Sequence, residues 1–140
     1  PRMAGLGEDW LARYPSIQMV LDVHRDSLET DDGAQLALRA DVDGEACAKL
    51  LLVMGSNGSG LEHPGWRQNL ANAARLQALC EQRAPGLMRD LLLRASRYNQ
   101  HLTPRSMLLE VGTAGNSLEE ALRSADIFSQ VLADCLLGKA

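Results

Sequence analysis

Met107–Val111 reads MLLEV, four apolar residues around one glutamate, and Gly112 closes the run. A stretch this short and this apolar fits a strand buried on both faces, as in the middle of an α/β sheet. A carboxylate in such a strand is costly unless it is paired or binds a metal. Glu110 therefore constrains both the fold and the chemistry. A second run of the same character, Ile17–Val23 (IQMVLDV), ends at His24. It predicts another strand buried on both faces that delivers His24, Arg25 and Asp26 as the chain leaves the sheet.

The other segments carry clear periodicities. Gln35–Val42 alternates apolar and polar residues, predicting a half-buried strand, and Ala46–Met54 continues as a further strand. Asp43-Gly44 between them is a hairpin signal, since a type I′ turn requires positive φ. Helical spacing runs from Trp66 to about Arg83. Pro85 predicts the start of a second helix with Leu87, Met88, Leu91, Leu92 and Ala95 on its apolar face. Arg97–Arg105 reads as a polar loop. Ser117 with Glu120 forms a capping box for a last helix, with an apolar stripe including Leu118, Leu122, Phe128, Leu132 and Leu136. The predicted order is β-β-β-α-α-β-α. That order implies an α/β fold with a mixed, mostly parallel sheet flanked by helices, short for a complete doubly wound domain.

The length of 140 residues suits a single domain. The aromatic residues number five, so the core must be aliphatic. Net charge is −4, and Lys49 and Lys139 stand far apart with no basic run. Nucleic acid is not the expected partner, because phosphate binding needs a concentrated basic face. Cys47, Cys80 and Cys135 are scattered and odd in number, which excludes a disulfide framework and a zinc ribbon. No apolar run approaches the roughly 20 residues of a membrane span, and the first residues lack the form of a signal peptide. Dinucleotide, Walker, HExxH and GxSxG motifs are absent from the sequence.

In open α/β sheets, sites form beyond the C-terminal ends of parallel strands. His24 and Glu110 lie on two inner strands of the predicted sheet and are the candidates for a shared site. Each also has a structural reading. Glu110 could sit at an exposed edge or beside an arginine, and His24 could be an ordinary hydrogen-bonded histidine. His63 in an exposed loop and His101 in the polar loop read as structural. The Arg97-Tyr98-Asn99-Gln100 cluster offers hydrogen-bond donors.

The segments VLDVHRDS, MGSN, HPGWRQNLANAARL, PGL, RYNQHLTP and LLEVGTAGNSLEEALRS occur in one order. In that order they resemble the stage II sporulation protein P family of cell-wall hydrolases from endospore-forming bacteria. That family is similar to the zinc-dependent N-acetylmuramoyl-L-alanine amidases. The resemblance implies an amidase-like fold, with residues 1–140 the C-terminal part of one catalytic domain and 1–14 a disordered or connecting segment. It implies that His24 is a zinc ligand and that Glu110 is the catalytic carboxylate. Arg25, Asp26, Arg97, Asn99, Gln100 and Asn116 become candidates for holding substrate. The implied reaction is hydrolysis of the amide between N-acetylmuramic acid and L-alanine, with peptide cross-links as a further target. Zinc suits this chemistry because it acidifies water, and a half-buried glutamate suits proton transfer.

The resemblance also implies two more zinc ligands, from an upstream Tyr-His-Thr-His-x-x-Glu segment that nothing in Pro1–Ser16 matches. A catalytic zinc needs three protein ligands. The expectation is therefore a domain incomplete at its N-terminus, an isolated chain that is inactive, and weak or no zinc binding. A non-catalytic module binding the wall or a partner is the alternative. The implied parent is extracytoplasmic and membrane-anchored, acting on peptidoglycan beside the sporulation protein D glycan hydrolase.

Overall fold

The computed structural model describes residues 2–139, with side chains from residue 5 onward. Helix α1 spans Arg2–Arg13, followed by strand β1 at Val20–Asp26. Strands β2 (Arg39–Val42), β3 (Glu45–Ala48) and β4 (Leu50–Gly55) come next, then helix α2 (Trp66–Arg83). Strands β5 (Leu92–Arg94) and β6 (Ser106–Thr113) and helix α3 (Leu118–Leu136) complete the order. The main sheet runs β1-β6-β4-β5, and β2 and β3 form a separate hairpin. β1 with β6 and β4 with β5 are parallel, and β6 with β4 is antiparallel. The fold is thus the expected α/β arrangement with a mixed, mostly parallel sheet.

Strand alternation sorts the side chains into two layers. Leu50, Leu52, Met54, Met107 and Leu109 face α2 and α3, joining Ala73, Leu76, Cys80, Phe128 and Val131 in the main core. Leu51, Val53 and Leu108 face the other way and form a small cluster with Leu92. Glu110 shares the parity of Leu108, so it lies on the face away from those two helices. Cys47 and Cys80 are buried and unpaired, and burial pushes the Cys80 thiol up to about 12. They act as small apolar residues.

Local signals held where they are short-range. The Asp43-Gly44 turn adopts φ of 56° and 84°, and the Ser117–Glu120 capping box is formed in full. α2 keeps its predicted bounds. Several expectations are corrected by long-range pairing. β1 is not buried on both faces: it is the outer strand, pairing with β6, and Val23 is 60% exposed. The run Ala46–Met54 is two strands of different sheets. Lys49 divides them: its N–H donates to Leu38 O, while its carbonyl accepts from Gly112 N.

The stretch after Pro85 is not a helix. Gly86 turns with φ of 80°, and the Glu81 carboxylate accepts from the N–H groups of Gly86 and Met88. Leu87 and Arg89 then exchange backbone hydrogen bonds with Leu50, which lays this segment along β4. In α3, Leu118 and Leu122 are exposed, and Glu120, Ser124, Phe128 and Val131 form the buried face instead. Ser124 donates to Ala48 O, tying that face to the hairpin. Residues 2–13, expected as disordered or connecting, form α1; Pro1 lies outside the described residues.

Candidate functional site

The register of β1 on β6 sets His24 directly beside Glu110. On the other side of Glu110, the antiparallel register of β4 places Leu51, a buried residue. Glu110 therefore stands between an imidazole and an aliphatic wall. Its Oε2 is buried and finds no hydrogen-bond partner among the described residues. Burial pushes its pKa up, the nearby Asp26 carboxylate adds to this, and His24 and Arg89 oppose it. This environment favours a carboxyl group that takes and returns protons.

Asp22 and Asp26 flank the pair along β1. Asp22 Oδ1 lies 2.8 Å from His24 Nε2, so it orients the ring from two residues earlier on the same strand. Arg89 Nη1 donates to Asp26 Oδ2 at 2.6 Å, and both side chains are about three-quarters buried. Arg89 starts from the β4 side, where its N–H donates to Leu50 O. Its guanidinium thus reaches across β6 to the end of β1, closing the C-terminal side of the site. Arg25 is exposed at the register irregularity between His24 and Asp26.

The other candidate residues lie elsewhere. β4 runs antiparallel to β6, so its C-terminal end sits at the start of β6, about 13 Å along the strand from Glu110 at roughly 3.3 Å per residue. There Gln100 is buried, accepting from Gly55 N and donating to Val53 O, both at 2.8 Å. Arg97 donates to Glu62 O. Asn99 lines a cleft that also contains Asp22. Asn116 accepts from Thr113 N and donates to Leu38 O and Glu120 Oε2. It braces the turn after β6. His63 is 2% exposed, not in an exposed loop as its sequence suggests. Burial and its neighbours His101 and Arg97 lower its pKa, and burial and Arg97 lower that of His101.

Sequence reasoning missed Asp22 and Arg89. Asp22 had a signal, since residues two apart on a strand share a face. Arg89 had none, because only the packing of its loop against β4 brings it to Asp26.

The sequence matches a known family over most of its length. The family described as stage II sporulation protein P (SpoIIP) matches residues 6–133. The chain belongs to the stage II sporulation protein P family. It is 33% identical over 136 residues to the stage II sporulation protein P of Bacillus subtilis (strain 168). That match covers 91% of this chain and 31% of the relative, so the chain spans less than a third of that protein's length. No solved structure matches the chain. Membership of the family ties the chain to sporulation. No helix among the described residues is long and apolar enough to cross a membrane.

Proposed function

We propose that this chain is the C-terminal part of a peptidoglycan hydrolase that cleaves the amide between N-acetylmuramic acid and L-alanine. The observation that carries the reading is the His24–Glu110 pair, held side by side by strand register. Amide hydrolysis requires a base for the attacking water and an acid for the leaving nitrogen. Glu110 serves as both: it takes the proton from the water and passes it to the departing amine. Asp22 fixes the ring of His24, and the Asp26–Arg89 pair bounds the space the amide would enter. Arg25, exposed beside them, is available to the substrate.

The family resemblance implies zinc. His24 fits one position of a zinc set, because a carboxylate orients its ring as metal-bound histidines require. No three histidine, cysteine, aspartate or glutamate side chains form a metal-binding group among the described residues. We assign the remaining ligands to a part of the parent protein outside this chain. When bound, zinc supplies Lewis acidity at the amide and acidifies water. Gln100 and Asn116 are supports for the strand ends in this reading. The parent would be anchored outside the cytoplasm and act beside the sporulation protein D glycan hydrolase.

The test measures zinc content and release of stem peptides from purified peptidoglycan. It uses the isolated chain, the full-length protein, and His24→Ala and Glu110→Gln variants. The full-length protein should bind zinc and cut; Glu110→Gln should keep zinc and lose at least about 100-fold in rate. His24→Ala should lose both, and the isolated chain should do neither. Full cutting by Glu110→Gln, or zinc retained by His24→Ala, overturns the assignment. A full-length protein that binds the wall without cutting it is a binding module.

A further inference from the structure

A cleft lies between α1 and the 98–102 loop. Its volume is about 210 Å3, and Leu6, Trp10, Leu21, Tyr98 and Leu108 supply mostly apolar walls. Trp10 is half exposed; one face of its indole stacks on Tyr14, with ring centroids 5.1 Å apart, and the other is left for a ligand. The opposite wall is strained. Tyr98 and Asn99 both have positive φ, 56° and 98°, in a region that residues with side chains rarely adopt. Backbone strain of this kind persists where the surroundings enforce it, and it gathers at ligand clamps. The enforcement is visible in the next residue: the Gln100 side chain bridges Val53 O and Gly55 N, and the Gln100 backbone carbonyl accepts from Asn69 Nδ2 at 2.6 Å. The lining includes Asp22, the residue that holds His24.

We propose that this cleft is a subsite for one neutral N-acetylated sugar ring, seated between Trp10 and Tyr98, with the scissile amide beyond Asp22. The proposal rests on the amide-hydrolase reading for the identity of the substrate, and on the cleft itself for the sugar. Aromatic side chains offer an apolar face with defined geometry, which suits the C–H face of a pyranose. The volume is below the roughly 300 Å3 at which pockets for drug-sized ligands begin, so it suits a single ring. The Asn99 side-chain amide provides both donors and an acceptor for a hydroxyl or acetamido group. Charge decides between the two halves of the substrate. Asp22 is the charged residue of the lining. Its carboxylate repels a carboxylate-bearing stem peptide and leaves a neutral ring unopposed. The sugar thus lies on the α1 side, and the peptide leaves toward Asp26 and Arg89.

The test is an NMR titration of the full-length protein with two probes, N-acetylglucosamine and the acidic dipeptide L-alanyl-D-glutamate. The sugar should shift the Trp10 indole and Tyr98 ring signals saturably, and the dipeptide should not displace it. Trp10→Ala should weaken sugar binding about tenfold, a loss equal to about 1.4 kcal/mol. Tyr98→Gly tolerates the positive φ without strain, and a thermal melt recorded beside the titration separates lost binding from lost folding. Sugar binding that survives both variants overturns the proposal, as does displacement by the dipeptide or no saturable binding by the intact protein. Sugar binding by a full-length protein that leaves peptidoglycan uncut would sink the amidase reading and leave this subsite standing.

Discussion

His24 and Glu110 are register partners on parallel strands, and Leu51 flanks Glu110 from the antiparallel side. One glutamate in β6 is therefore neighboured by an exposed imidazole on one side and by a buried aliphatic side chain on the other. The first can share a charge or a proton; the second withholds water. The contrast disfavours the charged form of Glu110 and makes it costly to the fold.

Glu110→Gln should raise the stability of the chain by up to about 1 kcal/mol, because it removes a carboxylate whose charged form burial disfavours. Urea unfolding at neutral pH measures it. A loss of stability would mean that Glu110 has a stabilising partner.

The Asp26–Arg89 contact joins β1 to the loop beside β4 across β6. Replacing either residue with alanine should cost about 1–2 kcal/mol, and the double variant should cost less than the sum by about 1 kcal/mol. A double-mutant cycle of denaturant unfolding gives the coupling. Strict additivity would show that the two side chains do not interact.

Glu120 is held well below the ordinary glutamate value of 4.5, at about 2, first by the hydrogen bond from Arg39 and then by that from Asn116. Its folded pKa is depressed, so the unfolded chain takes up the proton first as pH falls. The stability it provides is present above pH 4.5 and is lost between 4.5 and about 2. Thermal unfolding across that window should show the slope, and Glu120→Gln should flatten it while costing about 1–2 kcal/mol at neutral pH.

His63 is buried, and neither ring nitrogen has a hydrogen-bond partner among the described residues. Burial, His101 and Arg97 lower its pKa from 6.5. The folded state therefore keeps the ring neutral, and the unfolded state binds protons first as pH drops below 6.5, so stability should fall there with acidification. His63→Phe should reduce that dependence and cost less than about 1 kcal/mol, since no hydrogen bond is broken. A loss of several kcal/mol in circular dichroism melts would reveal a polar partner for the ring.

What the sequence by itself determined was local. The Ser117–Glu120 box, the Asp43-Gly44 turn and the bounds of α2 each depend on residues a few positions apart, and each formed as read. Glu110 within MLLEV was conspicuous for the same reason: a carboxylate in an apolar strand stands out without knowledge of its neighbours. The motif order was also enough to indicate the family. Partner choice was decided by the tertiary structure. An apolar run such as IQMVLDV reads alike in a central or an outer strand, and only the pairing with β6 put β1 at the sheet edge. The segment after Pro85 has apolar spacing compatible with a helix, and its hydrogen bonds to Leu50 drew it along β4 instead. Arg89 met Asp26, and the strained Tyr98-Asn99 pair came to share a cleft with Asp22, through contacts between residues far apart in the chain. Periodicity and caps act over one or two turns of chain, whereas strand order and cleft walls are set by which distant surfaces bury each other, and a single sequence does not display that competition.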